Sequence, residues 1–292
     1  MSNTRTKVAA LSSGVVALSL GLFGCASASD GPPSAGAEPP TTAPPIADAT
    51  AGSSTPAAPA SASATAVASS AAAPAAPTPP SAQGKCPTGM AELSGGKFKS
   101  TYYRAELAVE PFCLDVNLAT TDEYTACIAT GKCDKGAIHA CDPSTYNIEG
   151  RGNLPMICVD FGQAERYCKA QGKRIVSDLE WEWAARGGEE ARAYPWGADA
   201  PAEQLCWSGK EKRTLPCPVG TYAQGAAGIF DLVGNIYQWT TTTNDSIGSF
   251  RVGRGGSWKD TKPEQVAVSN KGGFKNTYRC GFLGIRCSAP VP

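Results

Sequence analysis

Histidine is nearly missing from this 292-residue chain, where His139 is the only one. That excludes any metal centre built on two or three imidazoles, as most zinc and nonheme iron sites are. A Ser-His-Asp triad would need His139 as its base, and no Gly-x-Ser-x-Gly elbow presents a nucleophile. No Cys-x-x-Cys pair occurs, so zinc ribbons and thioredoxin-like chemistry have no support. An excess of one charge is also absent: residues 86–292 carry 23 Lys plus Arg against 23 Asp plus Glu. Without a basic stripe there is no footprint for nucleic acid or an anionic lipid surface. No internal repeat and no alternating βαβ signal is present, which sets aside solenoids and parallel α/β sheets. The longest apolar run, Val8 to Phe23, is broken by Ser and Gly and is too short for a stable membrane span.

What is present begins with an export signal. Arg5 and Lys7 precede the Val8–Phe23 run, which ends in Leu22-Phe23-Gly24-Cys25. This end resembles the lipobox of bacterial lipoproteins. The resemblance implies a signal peptide over 1–24, cleavage before Cys25, and lipidation of Cys25 as the membrane anchor. Two or more acyl chains hold where one would not, at ~0.8 kcal/mol per buried methylene. No twin-Arg pair is present, and Ala26 after the Cys favours the outer over the inner membrane of the cell envelope. Residues 26–84 are nearly all Ala, Pro, Ser, Thr and Gly, with no aromatic residue. Such a segment buries too little apolar area to offset chain entropy, so 25–85 reads as a disordered tether. Its reach is about 40 Å as a coil and ~180 Å if extended.

The remaining stretch, 86–292, is one domain's length and holds eleven of the twelve cysteines. Beyond an export signal that usage reads as a disulfide framework with one thiol over. Three helices announce themselves. Thr120-x-x-Glu123 is a capping box before Tyr124, Cys127 and Ile128. Asp160 caps a second helix carrying Phe161, Ala164, Tyr167 and Cys168. Ser177-x-x-Glu180 starts a third with Trp181, Ala184 and Ala185 inward. The rest is rich in Gly, Pro, Asn and Thr with short apolar runs, so the fold class is α+β with long loops tied by disulfides.

Six blocks in order then resemble the formylglycine-generating enzyme (sulfatase-modifying factor) family. They are Gly89-Met90 with Gly95-Gly96-Lys97-Phe98, the run Gly172 to Gly188, Tyr194-Pro-Trp-Gly197, Gly228 to Trp239, Arg254-Gly-Gly-Ser-Trp258 and Leu283-Gly-Ile-Arg-Cys287. The resemblance covers essentially all of 86–292 and implies a modified C-type-lectin-like fold. Physically, Trp181, Trp183, Trp196, Trp239 and Trp258 read as anchors of a loop-rich core.

The family's oxidase binds copper(I) through two cysteines, three residues after the Ser of Arg-Gly-Gly-Ser and five further on. Asp260 and Gln265 stand there in this chain, and Trp258 to Val266 contains no Cys. Copper is therefore not expected. Sulfoxide-forming relatives use iron on histidines, largely from a second domain, and His139 is the only histidine here. For calcium, the family's block ending in Gly-Asn-x-Trp-Glu-Trp implies Asp231, the carbonyls of Gly234 and Ile236, and Gln238 as oxygen ligands. The family's other calcium loop, downstream of Trp207, is shortened here and is not carried over. The resemblance pairs Cys168 with Cys287. Spacing then suggests Cys127–Cys133, Cys206–Cys217, Cys141–Cys158 and Cys86–Cys113, which leaves Cys280 over as a free thiol or a thiol in another pairing.

The expected role is a membrane-tethered, non-catalytic module that holds an exported protein or glycan, with no nucleic acid partner. The residues near the former cleft, Arg254, Trp258, Asp260, Tyr278 and Arg279, are its candidate contacts. The alternatives are an oxidoreductase acting on exported protein substrates through a different site, and a purely structural envelope protein.

Overall fold

A computed structural model describes residues 85–139, 141–222, 225 and 227–292, and the backbone of residues 25–27. The expected signal peptide, 1–24, and the expected tether, 25–85, lie outside the described residues apart from that short backbone piece and Lys85.

All three helices start where a side chain can take the orphan N–H groups of the first turn. They are α1 (Thr121–Ala129), α2 (Phe161–Ala170) and α3 (Asp178–Ala185). Each opens on a complete capping box: Thr120 with Glu123, Asp160 with Gln163, Ser177 with Glu180. α3 buries Trp181, Trp183, Ala184 and Ala185, together with the acids Asp178, Glu180 and Glu182. Acids at that depth need partners, and the partners organise the candidate site described below.

The strands are short, as a loop-rich sequence demands. In chain order they are β1 (Cys25–Ser27), β2 (Met90–Leu93), β3 (Gly96–Lys99), β4 (Glu106–Val109), β5 (Phe112–Asp115), β6 (Arg174–Ile175), β7 (Tyr237–Thr243), β8 (Phe250–Arg254), β9 (Lys271–Lys275), β10 (Tyr278–Cys280), β11 (Leu283–Gly284) and β12 (Cys287–Pro290). One antiparallel sheet runs β2-β5-β12-β6 and joins the two ends of the domain. A second runs β11-β7-β8-β9, with β11 parallel to β7. β3 and β4 form a separate hairpin, and β1 pairs with β10 so that Cys25 lies opposite Cys280 in register. The fold is thus α+β with few helices.

Two large apolar clusters fill the interior, with a small third of Met90, Cys113 and Ala289. One gathers Tyr124, Tyr167, Trp239, Trp258 and Phe282 with most of the cysteines; the other gathers Phe98, Phe112, Trp181, Trp183 and Trp207. Disulfides join Cys86–Cys113, Cys127–Cys133, Cys141–Cys158, Cys168–Cys287 and Cys206–Cys217, the five pairs named above. Cys168–Cys287 spans 119 residues and ties α2 to β12, worth roughly 4–5 kcal/mol by loop closure. The expectation of a leftover thiol at Cys280 is corrected. Cys280 is disulfide-bonded and fully buried, and no cysteine is free among the described residues.

Candidate functional site

The loop after β8 carries Asp260 and Gln265, the two positions that the resemblance noted above matches to copper-binding cysteines. Gly255 and Gly256 lead into it with φ of +99° and +71°. A Cβ on Gly256 would sit 2.5 Å from the Gln265 carbonyl, so the loop closes tightly on itself. Asp260 Oδ2 accepts from Ser257 N at 2.7 Å and from Ser257 Oγ at 3.2 Å. Gln265 Oε1 accepts from Thr261 N at 3.1 Å and Lys262 N at 2.9 Å. Both side chains are occupied in capping local turns. Burial pushes the Asp260 carboxyl up to about 6, because the charged form loses water that two hydrogen bonds only partly replace. Neither side chain is a soft ligand, so this donor set does not fit copper(I).

The neighbouring candidates divide. Trp258 is buried and its Nε1 donates to the Gly281 carbonyl at 3.0 Å, while Lys259 Nζ lies 5.0 Å from its ring centroid. Arg279 is buried in an ion pair with Asp160, and its Nε donates to Gln163 Oε1 at 3.1 Å. Arg254 is fully buried between Asp178 and Glu182. These three are scaffold, which corrects their expected role as contacts. Arg254 and Trp258 spend their polar groups inside the fold, and Arg279 keeps only a buried Nη1 without a partner. Asp260 and Tyr278 remain partly exposed.

The loop expected to hold calcium is built differently from that expectation. Gln238 Oε1 accepts from Trp181 Nε1 at 3.0 Å and from Arg286 Nε at 2.7 Å. Its Nε2 donates to the carbonyls of Asp231 and Leu232, each at 3.0 Å. Turning the amide round would set an NH2 against two donors and an oxygen against two acceptors, so the orientation is forced. Gln238 therefore has no oxygen left for a cation. Arg286 also donates to the carbonyls of Phe230 and Asp231, at 2.6 and 3.1 Å. Asp231 keeps one buried oxygen, Oδ1, without a hydrogen-bond partner. Its Oδ2 accepts from Gly220 N at 2.9 Å, and burial pushes the carboxyl up to about 6. Among the described residues no group of three or more His, Cys, Asp or Glu comes together. One carboxylate with the Gly234 and Ile236 carbonyls, and amide and guanidinium donors turned into the loop, do not fit the four-ligand calcium site.

A feature that sequence reasoning missed is the tip of the β3–β4 hairpin. Ser100 Oγ donates to Glu182 Oε2 at 2.9 Å. Thr101 donates to Glu182 Oε1 from both N, at 2.9 Å, and Oγ1, at 3.0 Å. Tyr103 OH donates to Asp178 Oδ2 at 2.9 Å. The two acids that hold Arg254 thus also hold the tip. Tyr102 and Tyr103 remain 49% and 39% exposed, edge to face with centroids 5.1 Å apart. Lys271 Nζ lies 2.9 and 5.0 Å from the two centroids. Desolvation first, then Arg254, brings its ammonium down to about 8, against the pull of Asp178. The one available signal was Tyr102-Tyr103 in a polar turn. A cavity of about 810 Å³ lies elsewhere, beside Asp122, Thr125, Asn147, Glu149 and Asn153.

The family described as "Sulfatase-modifying factor enzyme 1-like domain" matches residues 75–290. The "Inactive C-alpha-formylglycine-generating enzyme 2" of Mus musculus is 33% identical over 157 residues, covering 49% of this chain and 51% of that protein. The "Formylglycine-generating enzyme" of Streptomyces coelicolor is 29% identical over 171 residues, covering 49% and 54%. The chain thus spans about half the length of these curated relatives. Among solved structures, PvdO from Pseudomonas aeruginosa superposes with a TM-score of 0.58 at 20% identity, covering 71% of this chain and 97% of that one. At that identity the likeness speaks for the fold alone.

Proposed function

Since this chain belongs to the sulfatase-modifying factor enzyme 1-like family, we propose that it has turned the family's oxidase scaffold to recognition. On this reading it is a lipid-anchored cell-envelope domain that binds an exported protein or glycan without chemistry of its own. The observation that carries this is the loop after β8. At the two thiolate positions stand Asp260 and Gln265, each spent on capping a turn. Without a free thiol among the described residues there is no second candidate for the redox centre. The name "inactive" on the Mus musculus relative agrees with a scaffold that outlives its chemistry. The Cys25 anchor and the extended tether suit a module that searches a volume from a fixed point, because tethering raises the effective concentration of whatever shares the membrane. The Ala26 that follows Cys25 favours the outer membrane.

The purified protein should neither bind Cu(I) nor take up oxygen in the presence of a cysteine-bearing peptide. Oxygen uptake that scales with peptide would overturn the reading. In cells, Cys25→Ser should move the protein from the membrane to the soluble envelope fraction, and cross-linking in intact envelopes should capture a repeatable partner only with the anchored form.

A further inference from the structure

We propose that the tip of the β3–β4 hairpin, formed by Tyr102 and Tyr103 with Arg104 beside them and Lys271 against their rings, is a binding site for a carboxylate-bearing sugar. This rests on the recognition reading above and supplies its surface and ligand class. The size of the patch argues for a sugar. Among the described residues only Tyr102, Tyr103 and Ile247 are large, apolar and exposed. A standard protein interface buries about 800 Å² on each side around an aromatic core, and two rings do not furnish that. Two rings 5.1 Å apart and nearly perpendicular offer stacking area on the scale of a single pyranose unit. The C–H face of a pyranose is weakly positive and settles on the negative face of a tyrosine ring.

Rigidity is the second argument. Exposed aromatic side chains on a loose turn would lose conformational entropy on binding. Here the backbone at Thr101 and the hydroxyls of Ser100, Thr101 and Tyr103 are fixed to the buried acids Asp178 and Glu182. The platform is therefore set before a ligand arrives. Charge is the third. Asp178 and Glu182 are spent on Arg254 and on the tip, so they do not pair with Lys271. Lys271 and the exposed Arg104 leave the tip cationic, and a sugar carboxylate would supply the missing anion through charge-assisted hydrogen bonds.

Titration calorimetry on the full mature protein tests this with galacturonic acid trimer against neutral galactotriose. The acidic trimer should bind at least tenfold tighter. Lys271→Met should cut that preference to the part Arg104 supplies, while neutral-sugar binding stays. Tyr102→Ala should weaken both at least tenfold, with Tyr102→Phe restoring the wild-type values because the ring is kept. The preference should fade as pH rises through about 8, where the ammonium that faces Tyr102, Tyr103, Arg254, Asp178 and Glu182 loses its proton. Equal affinity for the two trimers, no binding of either, or an unaffected Tyr102→Ala would overturn the proposal. If envelope cross-linking still captures a partner in that event, the recognition reading stands and only this site and ligand fail.

Discussion

Arg254 and Arg286 are both buried to zero exposure, yet they are stabilised in opposite ways. Arg286, on the short segment between β11 and β12, meets dipoles: the carbonyls of Asp115, Val116, Phe230 and Asp231 and the Gln238 amide oxygen. No acid touches its guanidinium, and burial brings it down to about 10. Arg254, at the end of β8, meets charges: Asp178 and Glu182, with the carbonyls of Val268 and Asn270 completing its set. A guanidinium held by carbonyls is spent entirely on the chain around it. Carboxylates have lone pairs to spare, and those of Asp178 and Glu182 run outward to Ser100, Thr101 and Tyr103. One arginine therefore pins the interior, and the other mounts a surface. Family scaffolds can change function at the second kind of place without touching the first.

The sharpest way to break this contrast is Arg286→Met. It takes the donor from the buried carbonyls of Asp115 and Phe230 and one of two donors from the Val116 and Asp231 carbonyls and the Gln238 oxygen, so a loss of about 3–5 kcal/mol is expected, read as a large fall in urea midpoint or failure to accumulate folded protein. Asp178→Asn should cost less, about 2–3 kcal/mol, because Glu182 still pairs with Arg254. Hydrogen exchange at the Thr101 amide should quicken in that variant, and it should not in a variant of the Arg286 region of equal stability loss.

A third test uses pH. Asp231 and Asp260 both titrate near 6 in the folded protein, above the roughly 3.9 of an unfolded aspartate. The folded state binds those protons more tightly, so their stabilising contribution is full below the unfolded value and is lost as pH rises through 6. Unfolding midpoints should therefore climb as pH drops from 7 toward 5. Asp231→Asn and Asp260→Asn should each flatten part of that climb, and a double variant that keeps it would contradict the assignment. The smallest effect expected is that of Tyr103→Phe. It removes one hydroxyl donated to Asp178, about 1 kcal/mol, and leaves the Arg286 network untouched.

Much of the fold was legible in the sequence because its signals are local. A cap and its partner lie three residues apart, and Thr120, Asp160 and Ser177 each open a helix as read. The Arg-Gly-Gly-Ser block located Asp260 and Gln265 for the same reason. The surface was not legible. Arg254, Trp258 and Arg279 looked like contacts because charged and aromatic residues beside a cleft usually are, but their burial depends on partners 23 to 119 residues away. Lys271 meets Tyr102 only through hairpin docking and the β8–β9 register that sets Lys271 opposite Arg254. No local pattern announces such a meeting. Cys280, left open as a free thiol or a thiol in another pairing, is bonded, and spacing along the chain could not decide between the two.

The capping bonds of Asp260 and Gln265 also set what the loop tolerates. Cysteines at both positions would supply two sulfurs and at once strip the turn of the acceptors for Ser257, Thr261 and Lys262. A thiol is a poor substitute for a carboxylate or an amide in that task. The two sites are coupled through one small loop, so neither substitution is neutral without the other. The loop is thus an interlock: a soft-metal site could be installed here only by taking apart the bonds that keep it folded.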